Sequence, residues 1–104
     1  MKPHALVAGI AVGSLLVSLP AAANLELAKK HNCVACHQVD KKLIGPSFKD
    51  VAAKYKDNKG AVDLLATKIV KGGSGVWGPI PMPANTQVSE ADAKKLAAWV
   101  LQTK

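Results

Sequence analysis

The chain of 104 residues contains no arginine; every one of its 14 Lys and Arg positions is a lysine. Proteins that read nucleic-acid sequence lean on arginine for bidentate contacts to guanine and phosphate, so this absence argues against a nucleic-acid partner. Aromatic side chains are nearly as scarce: Phe48, Tyr55, Trp77 and Trp99 are all there are. The cysteines number two, Cys33 and Cys36, and a disulfide across so short a loop would restrain the unfolded chain very little. No apolar run reaches the ~20 residues that a membrane-spanning helix needs. The longest, from Ala5 to Leu19, is broken by Gly9, Gly13, Ser14 and Ser18. Internal repeats and low-complexity tracts are absent, and no segment alternates like a strand.

What is present begins with that N-terminal run. Lys2 gives a basic start, Pro20 ends the apolar stretch, and Ala21, Ala22 and Ala23 supply the small residues of a cleavage site. The pattern reads as a secretory signal over residues 1–23, cut before Asn24, with an uncleaved anchor as the alternative. One domain of 81 residues, 24–104, remains. So small a domain, with so few aromatics, has trouble filling its own interior, so something other than protein is expected there. Residues 24–104 carry 13 lysines against 7 acids, which leaves a formal +6. Such a surface suits transient docking to an acidic patch, with simple solubility as the alternative.

Hydrophobic periodicity predicts an all-α fold of four short helices. The first runs over about Leu25 to His31. The second follows Ser47, with Phe48, Val51, Ala52 and Tyr55 at i, i+3, i+4 and i+7. The third covers about Ala61 to Lys71, with Val62, Leu65, Ala66, Ile69 and Val70 on one stripe and Gly72 and Gly73 to end it. The fourth begins after Ser89, where Asp92 three residues on suggests a capping box, and carries Ala93, Leu96, Ala97, Val100 and Leu101 as its stripe. Between the last two lies a Gly- and Pro-rich loop holding Trp77, Ile80 and Met82; loops of that length in compact domains are usually functional or disordered, and these apolar side chains disfavour disorder.

Cys33-Val34-Ala35-Cys36-His37 has the C-x-x-C-H spacing of a haem attachment site. Two thiols at that spacing reach the vinyl groups on one porphyrin edge as thioethers, and the histidine that follows is held beneath the ring, where it can bind iron. A thioredoxin-like redox pair would want a βαβ setting, and a zinc site would want more Cys or His ligands. His31 is the only other histidine in 24–104 and is expected to be solvated. Met82 is the only methionine there, set between Pro81 and Pro83 in a loop, where core filling explains it poorly. Its thioether is the candidate second axial ligand; a His/Met pair raises the reduction potential. With both axial positions filled, the iron carries electrons rather than activating a substrate.

Cys33–His37, Gly45-Pro46, Gly75-Val76-Trp77-Gly78-Pro79-Ile80-Pro81-Met82-Pro83 and the closing Lys95–Leu101 stretch together resemble the small bacterial class I cytochromes c of the c-551/c-552 type, over essentially all of residues 24–104. The resemblance implies the class I fold, about four short helices wrapped round one covalent haem c, with Cys33 and Cys36 as thioether anchors and His37 and Met82 as axial ligands. It further implies that the Pro46 carbonyl accepts the His37 Nδ1–H, that Trp77 donates its indole N–H to a haem propionate, and that Asn85 lies close to the Met82 sulfur and tunes it. Ala84 stands where relatives often have a further proline. The function so implied is that of a soluble, monomeric periplasmic electron carrier and not an enzyme, serving larger redox proteins such as a nitrite reductase, a terminal oxidase or a peroxidase. Two other functions compete: a ligand-binding haem sensor with an open sixth site, and a haem-free thiol–disulfide protein.

Overall fold

The structure, a computed structural model, describes residues 20–104. The expected signal segment therefore lies outside the described residues except for its last four. Four helices form the frame: α1 (Pro20–Lys30), α2 (Phe48–Tyr55), α3 (Ala61–Lys71) and α4 (Glu90–Leu101), with a single 3-10 turn at Cys33–Ala35. The only β pairing among the described residues is one antiparallel bridge between Gly73 and Met82. The all-α expectation holds.

Local chemistry sets the helix ends. Ser47 Oγ accepts from the Asp50 N–H at 3.0 Å and starts α2; Ser89 Oγ accepts from the Asp92 N–H at 3.1 Å and starts α4. These bonds satisfy donors that the first helical turn leaves orphaned. The reciprocal half of the expected capping box is not used, because the Asp92 carboxylate turns instead toward His31, 3.5 Å away. The described residues open within α1, which already runs from Pro20 and so through Ala21, Ala22 and Ala23 ahead of Leu25; alanine is the best helix former, which suits that stretch to a helix.

α4 packs against α1, α2 and α3. Its Ala93, Leu96, Ala97 and Val100 are buried, as are Phe48, Val51, Ala52 and Tyr55 of α2 and Ala61, Leu65 and Ala66 of α3. Ala28, Ala93 and Ala97 are fully buried, and side chains this small let helices approach closely. α3 stops at Gly72, whose φ of +77° is a left-handed geometry that favours glycine. From there the chain runs without helix until Val88, itself 4% exposed, pins the return into α4. α4 thus contacts the other three helices, and residues of all four line a cavity of about 580 Å³.

Candidate functional site

The Cys33–His37 segment is wound into one tight turn by its own backbone. Cys36 N and His37 N both donate to the Cys33 carbonyl, at 3.2 and 3.0 Å. The turn is entered through Asn32 at φ +63°, a left-handed conformation that asparagine tolerates better than most residues. As a result both thiols and the imidazole line the same cavity. Neither cysteine is in a disulfide. Burial pushes the Cys33 thiol above its ordinary pKa; a hydrogen bond at its own backbone works against this, and the nearby Cys36 adds to the rise. Thiols that perform disulfide exchange are shifted the other way, toward the thiolate. Among the described residues no group of three or more Cys, His, Asp or Glu side chains is gathered together.

His37 is held from three sides. Its Nδ1 lies 2.8 Å from the Pro46 carbonyl oxygen, which can only accept, so Nδ1 carries the proton and Nε2 is left as the donor atom. Its ring stacks on Phe48 at 5.4 Å between centroids, with the planes 22° apart. Phe48 is in turn met edge-on by Trp99 at 5.3 Å. Gly45 passes so close that a Cβ there would sit 2.5 Å from His37 Cε1. The Gly45–Pro46 pair therefore has two separate tasks, and only the Pro46 part was anticipated from the sequence.

Met82 lines the same cavity, half-buried, with its backbone paired to Gly73 in both directions (Gly73 N to Met82 O, 3.0 Å; Met82 N to Gly73 O, 2.8 Å). Trp77 sits at the cavity rim, 43% exposed. The Lys54 ammonium lies 5.5 Å above its ring, a cation–π contact that sequence inspection gave no reason to expect. Asn85 also borders the cavity, but its amide Nδ2 donates to the carbonyls of Ile69 (2.9 Å) and Pro83 (3.4 Å). His31 corrects an expectation outright: it is 8% exposed, not solvated. Its N–H donates to the Leu27 carbonyl at 3.1 Å, so it continues α1 past Lys30, one turn beyond the fully buried Ala28; Asp92 of α4 lies 3.5 Å from its Nε2, which makes no well-formed hydrogen bond.

One apolar-walled cavity thus gathers two thiols, an imidazole with a fixed tautomer and a thioether. That donor set fits a covalently attached iron porphyrin in its chemistry: two thiols for thioether links, a nitrogen and a sulfur for the iron, and an otherwise largely apolar lining.

An all-α frame enclosing this C-x-x-C-H cavity defines the class I cytochrome c fold. Comparison with known proteins agrees. The family described as Cytochrome c matches residues 22–104. Cytochrome c-552 of Nitrosomonas europaea is 57% identical over 94 residues, covering 90% of this chain and 91% of that protein. Cytochrome c-551 of Pseudomonas aeruginosa is 50% identical over 105 residues, covering both chains in full. The crystal structure of the wild-type Nitrosomonas europaea cytochrome superposes with a TM-score of 0.76 at 60% identity, over 77% of this chain and 99% of that one. A class 1 cytochrome from Sideroxydans lithotrophicus ES-1 superposes at 0.69 with 30% identity, over 83% and 98%. The chain belongs to the cytochrome c family, as a small bacterial class I member of the c-551/c-552 type. Membership makes it an electron-transfer protein rather than an enzyme, and implies covalent haem c.

Proposed function

We propose that the protein is a periplasmic monohaem electron carrier. In this reading the signal segment is removed before Asn24, Cys33 and Cys36 anchor the haem, and His37 and Met82 bind its iron. Residues 24–104 are expected to act as a monomer, passing single electrons between larger respiratory or denitrification proteins such as a nitrite reductase, a terminal oxidase or a peroxidase. When bound, the haem supplies a one-electron iron couple. What the polypeptide does is hold the ends of that couple still. The Pro46 carbonyl orients the His37 ring and makes its free nitrogen a stronger donor. Pro81 and Pro83 stiffen the backbone on either side of Met82 and donate no hydrogen bonds that would compete for its sulfur. In this reading Trp77, at the rim, donates its indole N–H to a haem propionate.

The observation that carries the reading is the convergence of both thiols, His37 Nε2 and Met82 on one cavity. Exposed apolar side chains near its mouth, among them Val76 and Ile80 at 44% and 64% exposure, offer a partner a dry contact beside the lysines. No helix among the described residues is long and apolar enough to cross a membrane.

The test is Met82→Ala in the matured holoprotein. Haem should stay attached, the reduction potential should fall by on the order of 100 mV or more, and the reduced protein should bind carbon monoxide. An unchanged potential together with no carbon monoxide binding would remove Met82 from the iron. Carbon monoxide binding by the unmutated reduced protein would favour the haem-sensor alternative instead.

A further inference from the structure

The segment from Ser74 to Pro81 is exposed at every residue except Gly78, yet it carries Trp77 to the rim of the cavity. An indole that is to meet a bound group there must be held still, since ordering a free side chain costs entropy. Hydrogen bonds do little of the holding. The Gly73–Met82 pair closes the base of the segment, and the Gly75 N–H donates to Gly78 O at 3.0 Å to close its tip. Among the described residues no hydrogen bond, backbone or side-chain, runs from 74–81 to a helix. The tip also stands clear of its surroundings: a Cβ on Gly75 or Gly78 would meet nothing within 4 Å.

Lys54, in the last turn of α2, crosses to this segment. Its ammonium lies 5.5 Å from the ring centroid of Trp77 and 5.9 Å from that of Tyr55, both within the roughly 6 Å reach of a cation–π contact. Tyr55 is buried in the core and gives the ammonium a fixed wall, while Trp77 hangs on the exposed segment. A more ordinary partner was at hand: Asp50 stands one helical turn earlier, at the i, i+4 spacing of an ion pair. The three lysine–carboxylate pairs among the described residues leave both out, and the ammonium goes to the rings. Trp77 borders the cavity and Lys54 does not, so what Lys54 does at the site it does through the indole.

We infer that Lys54 is a positioning residue: its ammonium pins the Trp77 indole to α2 and so holds the ring at the cavity rim. The inference rests on the reading of Trp77 as donor to a haem propionate. Its test follows solvent exchange of the Trp77 indole N–H by NMR in the reduced holoprotein, with Trp77→Phe to assign the signal. In the parent this proton should be protected by its bond to the propionate. Lys54→Met keeps the stem and removes the charge; exchange should quicken by about two- to fivefold, the factor that about 0.5–1 kcal/mol produces. Lys54→Arg keeps a cation for the ring and should exchange at the parental rate. The backbone N–H of Ala97, a fully buried residue of α4, is the control and should not change in either variant. A lysine that only supported global stability would quicken Ala97 along with the indole, and that result overturns the pin. So does a parental rate in Lys54→Met, or an arginine variant as fast as the methionine one; each of these leaves Trp77 as donor. A parent whose indole N–H exchanges as fast as that of free tryptophan overturns both.

Discussion

A methyl group on Gly45 would lie 2.5 Å from His37 Cε1 and 2.9 Å from Nδ1. The clash is with a ring held on its other side by Phe48, so the imidazole cannot retreat without losing either the stack or the bond to Pro46. Gly45→Ala should destabilise the holoprotein by about 1–3 kcal/mol, the usual cost of overpacking, seen in the denaturant midpoint. It should also raise the reduction potential, because an imidazole that donates less well through Nδ1–H is a weaker ligand to ferric iron. An alanine variant with parental stability and potential would show that the ring has room to move. Gly45 was readable in the sequence only as half of a Gly-Pro pair, because its purpose depends on a ring that reaches it through the fold. His31 was misread for the same kind of reason. Nothing local distinguishes a solvated histidine from one that the end of α1 carries into its contact with α4.

The helices show which kinds of information a sequence carries openly. α2, α3 and α4 follow their apolar stripes nearly residue for residue, since periodicity, serine caps and the terminal glycine all agree. α1 does not: it already includes Ala21, Ala22 and Ala23, a stretch of high helix propensity whose composition also reads as a cleavage site. The two serine caps allow a comparison. Ser47 is 2% exposed and Ser89 is exposed, yet each accepts one N–H with similar geometry. Ser89→Ala should cost about 1 kcal/mol. Ser47→Ala should cost more, up to about 2 kcal/mol, because water cannot easily replace the lost acceptor at a buried helix start. Equal midpoints for the two variants in a thermal or denaturant melt would mean that solvent reaches the start of α2. The motif residues are the intermediate case. Their chemistry was legible from spacing, and the cavity that joins them required the fold.

Over the whole molecule, charge is what remains after the fold and site are accounted for. Three lysine–carboxylate pairs are present among the described residues, Lys29–Glu26, Lys49–Asp40 and Lys94–Asp63, all between exposed groups; such pairs contribute little to stability. The 13 lysines of residues 24–104 outnumber the 7 acids, so the excess acts as a field rather than as a set of bonds. Two of the lysines, Lys42 and Lys68, border the cavity itself, where an approaching redox partner would feel them most. A positive field speeds encounters with anions, and salt removes that advantage as the Debye length shrinks from about 30 Å at 0.01 M to about 3 Å at 1 M. Electron transfer with an anionic reagent such as ferricyanide should therefore slow severalfold across that range. A cationic cobalt complex should speed up, and a neutral quinone should barely respond. The contrast between reagents of opposite sign separates steering from any general effect of salt on the haem couple, which would move all three rates together. Parallel responses would reduce the lysines to keeping the protein in solution, and the choice of partner would then rest on the apolar rim formed by Val76 and Ile80.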